Sequence, residues 1–132
     1  MNTSKNNKGF TLVEILVVVA IVGILVAIAV PSYRFILDSA RRTSSIGALD
    51  VVKTELEAYA GDMMGYPSSI DFTNFTDQDG NFIMGHTNWE RIRDKIYNWD
   101  SYTVTGNTYT IKARAMDSNH TILTLTPTGV TY

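Results

Sequence analysis

Three rhythms of apolar and polar positions follow one another along this chain. From residue 10 to residue 30 the only charge is Glu14, and nearly every other position is apolar or small. As a helix, such a run spans about 31 Å, the depth of a bilayer core. Beyond Pro31 the apolar residues thin out to Tyr33, Ile36 or Leu37, Ala40, Ile46, Leu49, Val52, Leu56 and Tyr59. Charged residues such as Arg34, Asp38, Arg42, Lys53 and Glu57 fill the places between. Spacings of three and four predict an amphipathic helix, its stripe covered by the body of the same chain. Gly61-Asp62, with Gly65 and Pro67 close behind, predicts its stop. Unbroken from Phe10 to Ala60, this helix would extend about 77 Å, more than a domain of this size can bury. Its first half must then find lipid or other subunits, and its second half the head.

The third rhythm is alternation. Residues 102–105, 108–115 and 121–126 alternate and are rich in β-branched and aromatic side chains, which predicts strands. Gly106-Asn107 and residues 117–119 supply turns, and residues 130–132 offer a short edge strand. Between helix and strands, residues 62–100 read as a loop with scattered anchors at Phe72, Phe75, Phe82 and Ile83. A short helix is predicted over 88–96, with Asn88 as its cap. The fold class is α+β: one long N-terminal helix, hydrophobic in its first half, packed on a small antiparallel sheet of three or four strands.

Composition changes this picture little. At 132 residues the chain has length for one domain, and its formal charge of -2 gives no electrostatic reason to expect general nucleic-acid binding. Cysteine is absent, which excludes a disulfide framework, a thiol nucleophile and a thiolate metal site.

Charge matters more at the N-terminus. The segment before the apolar run carries Lys5 and Lys8 and no acid, so the positive-inside rule keeps it cytoplasmic and sends the body across the membrane. A secretory signal peptide fits badly, because the run is long and lacks a clear small-x-small cleavage site. A plain retained anchor fits the hydropathy equally well. Glu14 is the unusual residue, since a carboxylate within an apolar span costs about 2.5–3.5 kcal/mol. It must be neutralised, lie near an interface or find a partner. It could snorkel toward the headgroups. Alternatively, a cut before Phe10 would create an α-amino group about one helical turn away, a cation that a neighbouring subunit could bring to Glu14 in a staggered assembly.

The string from Lys8 through Gly9, Phe10, Thr11, Leu12 and Val13 to Glu14, followed by the apolar run and Pro31, resembles the class III signal of type IV pilins and type II secretion pseudopilins. Gly23 falls where such proteins usually carry a helix-weakening glycine. The resemblance covers about the first fifty residues in detail and the remainder in general plan. It implies that residues 1–9 are a leader, that a prepilin peptidase cuts between Gly9 and Phe10, and that Phe10 is then N-methylated. It implies that Glu14 recruits and registers the incoming subunit, and that Gly23 and Pro31 bound a segment able to lose helical structure in the filament. Independently, glycine and proline both weaken a helix, although both are also tolerated as kinks in ordinary membrane helices. Many type IV pilins close their C-terminal region with a disulfide, and this chain cannot.

Other candidates weigh less. Asp77, Asp79 and Asn81 place oxygen side chains at alternate positions beside Gly80, a calcium-like pattern, but the glycine is misplaced for an EF-hand and the downstream glutamate is missing. An Asx-rich turn is the better account. His86 and His120 read as exposed loop histidines with no catalytic arrangement around them. Arg91, Arg93, Lys95, Lys112 and Arg114 could converge with Trp89 and Tyr109 into a nucleic-acid patch, but Glu90 and Asp94 weaken it, so DNA binding is not expected.

The expectation is therefore a structural subunit of a type IV pilus and not an enzyme: residues 1–9 leader, 10–30 transmembrane and filament-core helix, 31–132 half-helix and β head. It would sit in the inner membrane as precursor, in lipid, meeting the peptidase and an assembly platform before becoming a homo-oligomer in a helical filament at the cell surface. The rivals are a type II secretion pseudopilin of a periplasmic pseudopilus and a single-pass anchored binding or adhesion module.

Overall fold

A computed structural model describes residues 9–132; most of the expected leader lies outside them. One helix, α1 (Leu12–Met63), runs for 52 residues. It passes through both Gly23 and Pro31 without interruption. The Ser32 hydroxyl donates to the Ile28 carbonyl at 3.1 Å, one turn back and next to the Ala27 carbonyl, which Pro31 leaves without its usual donor. The chain divides into two compact units, one ending at Ile36 and the other spanning Leu37–Tyr132. In the first, residues 9–36 are all exposed.

The second unit holds the remainder of α1, a short helix α2 (His86–Arg93) and four strands: β1 (Ile96–Thr105), β2 (Thr108–Ala115), β3 (Ile122–Thr126) and β4 (Gly129–Thr131). The strands pair in sequence order as an antiparallel meander, β1-β2-β3-β4. Thr105 faces Thr108 across the two-residue turn Gly106-Asn107, where Gly106 takes a φ of +59°, a conformation costly to a residue with a Cβ. Inward positions alternate along β2, with Tyr109, Ile111, Ala113 and Ala115 all buried. They meet Leu123 and Leu125 of β3 and a helical stripe of Ala48, Leu49, Val52 and Leu56 in one core.

That stripe is shorter than the sequence predicts. Tyr33 and Ile36 are exposed, and full burial along α1 begins at Ser45. Four strands about 4.8 Å apart offer a narrow face, and a few helical turns suffice to cover it. The helix also ends later than Gly61-Asp62 predicts: Gly61 is helical, and the reversal falls at Met64 with a φ of +59°. The first strand starts six residues earlier than the alternation shows, at Ile96, because register irregularities between Ile96 and Asn98 and between Trp99 and Ser101 break its period. Helix α2 starts at His86 rather than Asn88. Its cap is Gly85, and no side chain caps it.

Aromatic stacking orders the segment between α1 and α2. Trp89 is fully buried, lies 4.6 Å from the Phe75 ring and 5.3 Å from Trp99, and donates from Nε1 to the Thr73 carbonyl at 3.0 Å. Phe72 stacks on Trp99 at 4.9 Å. An apparent loop is thereby fixed to β1 through rings rather than through regular hydrogen bonding.

Candidate functional site

The sequence points first to the N-terminus. Gly9 and Phe10 precede α1 and are exposed, Phe10 to 85%. Thr11 then caps the helix, its Oγ1 accepting from the Glu14 N–H at 3.3 Å. Glu14 reaches back, and its Oε2 accepts from the Thr11 N–H at 2.7 Å and from the Thr11 hydroxyl at 3.0 Å. This reciprocal pair is a capping box, two orphan N–H groups satisfied by two side chains. Its signature, Thr-x-x-Glu ahead of an apolar run, stands in the sequence, and Thr11 is the residue that sequence reasoning overlooked. The second oxygen of Glu14, Oε1, makes no hydrogen bond among the described residues. The carboxylate is thus oriented by its own chain through one oxygen. From Leu12 onward the apolar stretch is long enough to cross a membrane, and none of it is buried by the protein itself.

The acidic turn of the head has a different character. Asp77, Asp79 and Asn81 do come together, but around the Asp77 carboxylate as a hydrogen-bond acceptor. Its Oδ1 accepts from the N–H groups of Asp79 at 2.9 Å and Asn81 at 2.8 Å, and its Oδ2 from the Tyr59 hydroxyl at 2.8 Å. Burial pushes the Asp77 carboxyl up, and these hydrogen bonds outweigh it and hold it below its ordinary value. No group of three or more His, Cys, Asp and Glu side chains able to hold a metal occurs among the described residues. Calcium would have to displace three good donors from Asp77, so this donor set fits an Asx turn better than a cation.

A second polar cluster, absent from the sequence reading, joins α1 to the β2–β3 turn. Asp117, almost fully buried, accepts from Arg42 Nε at 2.9 Å, from the Thr121 N–H at 2.8 Å and from the Thr121 hydroxyl at 2.6 Å. The Ser118 N–H and hydroxyl both donate to Asp38. Fully buried Ser45 donates to the Lys95 carbonyl at 2.6 Å and accepts from the Met116 N–H at 3.1 Å. Spacing along the chain gave no hint of the pairs that Arg42, Asp38 and Ser45 make, whose partners lie fifty to eighty residues away.

The remaining candidates disperse. Trp89 and Tyr109 are buried and so unavailable to stack on bases, and Arg114 is paired with Asp100 at 3.0 Å. His86 is exposed in the first turn of α2, 3.4 Å from Glu90. His120 is not the exposed loop residue expected. It is half-buried, its ring stacks on Tyr97 at 3.7 Å, and its φ is +48°.

Comparison with known proteins bears on the N-terminal site. Residues 4–30 match the family model described as the prokaryotic N-terminal methylation motif. That motif and the chain's relatives support a place for it in the type IV pilin and pseudopilin family. Fimbrial protein Q of Moraxella bovis is 45% identical over 51 residues, covering 39% of this chain and 32% of that protein. The type IV major fimbrial protein FimA of Dichelobacter nodosus is 33% identical over 94 residues, covering 71% of this chain and 57% of that protein. The type II secretion system core protein G of Pseudomonas aeruginosa is 40% identical over 65 residues, covering 49% and 46%. This chain therefore spans from about a third to somewhat over half of the length of these relatives. No solved structure matches. The relatives are structural pilin subunits, not enzymes, and the long helix with its four-stranded antiparallel sheet is a pilin-like arrangement.

Proposed function

We propose that this pilin-family chain is a structural subunit of a type IV pilus, held in the inner membrane as a precursor, cut between Gly9 and Phe10, and assembled through the first part of α1. The observation that carries the proposal is the apolar stretch of α1, which the protein leaves wholly uncovered. Lipid can cover it before assembly and other copies afterwards, by close helix packing. Cleavage would place the new α-amino group of Phe10 beside a carboxylate already oriented by Thr11, so that Glu14 of one copy could accept the amine of the next. Methylation of that amine preserves its charge. Gly23 and Pro31 are the positions at which the helix would yield when copies pack. Prepilin peptidase and an inner-membrane platform would be the partners in these steps.

The intact mass of the protein in filaments sheared from its native host tests this reading. A mass equal to residues 10–132 plus one methyl group, in an abundant sheared fraction, is the expected result. Retention of residues 1–9 would defeat it and leave an anchored binding module. The likeness to the type II secretion core protein G gives a second reading, a periplasmic pseudopilus. The same processed mass confined to the envelope would favour it.

A further inference from the structure

Gly47 lies in the interior of α1, where glycine costs about 1 kcal/mol relative to alanine. Nothing within the protein requires it: a Cβ added there would meet no atom within 4 Å, and its backbone is helical. Gly47, Ser44, Ala48 and Val51 form one wall of a groove of about 290 Å³, which Ile92 closes on the other side. Ala48 and Ile92 are buried, and Val51 is an exposed apolar residue at its mouth. Arg91 and Lys95 stand on the rim. Both are exposed, and neither is paired with a carboxylate among the described residues. A helical glycine without a local reason, an apolar floor and two uncompensated cations together suit the close approach of an apolar knob carrying negative charge.

The chain carries such a knob. Where α1 ends, Met64 is 97% exposed and Met63 60% exposed, with exposed Asp62 beside them. The left-handed backbone at Met64 turns the chain there. Methionine is unbranched and adapts to irregular apolar sites. The knob lies about 25 Å along α1 from Gly47, so a copy displaced axially by that distance brings its knob level with the groove. We infer that, in the assembly proposed above, residues 62–64 of one copy dock into the groove between α1 and α2 of another, Met64 entering beside Gly47 and Asp62 pairing with Arg91 and Lys95. The inference rests on the filament reading and adds a contact between heads to the one made by the N-terminal helices.

Charge exchange and occlusion test it in assembled filaments. If the unaltered chain yields no sheared filaments in its host, the filament reading itself fails. With filaments present, Arg91→Glu together with Lys95→Glu should lower their yield about tenfold or more, by juxtaposing like charges, and Asp62→Lys should restore it. Gly47→Leu, whose Cβ meets no atom within 4 Å, extends an apolar side chain toward the groove and should lower the yield comparably. Circular dichroism of each full-length variant in detergent shows that its fold is intact. Unchanged yield in both the charge-reversed and the Gly47→Leu variants would overturn the site. Loss without rescue by Asp62→Lys would overturn the choice of occupant. Because the chain has no cysteine, a Val51→Cys, Met64→Cys variant reports the contact directly. Oxidation of its filaments should give a covalent ladder, and its absence would overturn the docking.

Discussion

Ser45 is a small polar residue with no exposed surface, and its hydroxyl joins α1 to the entry of β1 and the exit of β2. Ser45→Ala would strand the Lys95 carbonyl and the Met116 N–H, so the expected loss is about 1–3 kcal/mol, read from chemical denaturation of the full chain in detergent. Asp117 is the other such residue. Burial pushes its carboxyl up, but the hydrogen bonds from Thr121 and Arg42 prevail and hold it below its ordinary value of 3.8. Asp38 is lowered in the same way by Ser118, and Asp77 by Tyr59 and Asn81. A carboxylate whose folded pKa is depressed stabilises the fold above its unfolded pKa, and that contribution is lost as pH falls through the folded value. Stability should therefore be level near neutrality and decline below about pH 4, and Asp117→Asn should flatten the decline. Tyrosines set the opposite limit. Burial raises Tyr102 to about 12, and Tyr109 and Tyr59 are raised as well. The unfolded chain would ionise first, so stability falls again as pH climbs past 10 toward 12. A melting-temperature profile against pH checks both limbs.

Among the elements, α1 is the most legible and the first half of β1 the least. An uninterrupted apolar run and a 3–4 spacing announced a long helix, and β-branched alternation announced β2 and β3 closely. What the sequence hid was the segment from Met64 to Trp99, because its order comes from rings that meet across it rather than from any period along it. Phe72, Phe75, Trp89 and Trp99 look scattered when written in a line and form one stack when folded. Trp89→Ala should cost about 3–5 kcal/mol. It should also make residues 64–85 the first site of limited proteolysis, which mass mapping of the fragments would show. At the N-terminus Gly9, Phe10 and Glu14 stand out in the sequence, because their types and order are unusual ahead of and within an apolar run. Thr11 was visible too, as half of a Thr-x-x-Glu pair, but the cost of burying Glu14 drew attention away from what its own chain could offer it. Arg42 with Asp117 was not legible, since nothing along the chain relates two residues separated by most of the head.

For the whole molecule, the buried side chains identified all lie at or after Ser45, and none belongs to the unit ending at Ile36. A fragment spanning 37–132 should consequently fold alone, stay soluble without detergent and unfold in one cooperative transition, as scanning calorimetry would show. Aggregation of that fragment, or a broad non-cooperative melt, would mean that the first unit contributes to folding as well as to anchorage. On the proposed filament reading, assembly by contrast depends on the first unit. Glu14→Ala should leave the precursor inserted and the head folded while abolishing incorporation into filaments, measured as processed protein in the sheared fraction.

The bonds that join Asp38 and Arg42 to Ser118 and Asp117 have a mechanical meaning as well. In the proposed filament, a pull along α1 would reach the sheet through the apolar core, this clasp and Ser45. Charge-assisted bonds set side by side share a load and must fail nearly together, whereas bonds opened one after another yield like a zipper. With no cysteine to form a disulfide, the clasp adds a polar fastening to the apolar core, and it is made of groups that protons can disarm. Such a fibre would bear strain near neutrality and slacken in acid, at the same carboxylates that set its acid stability.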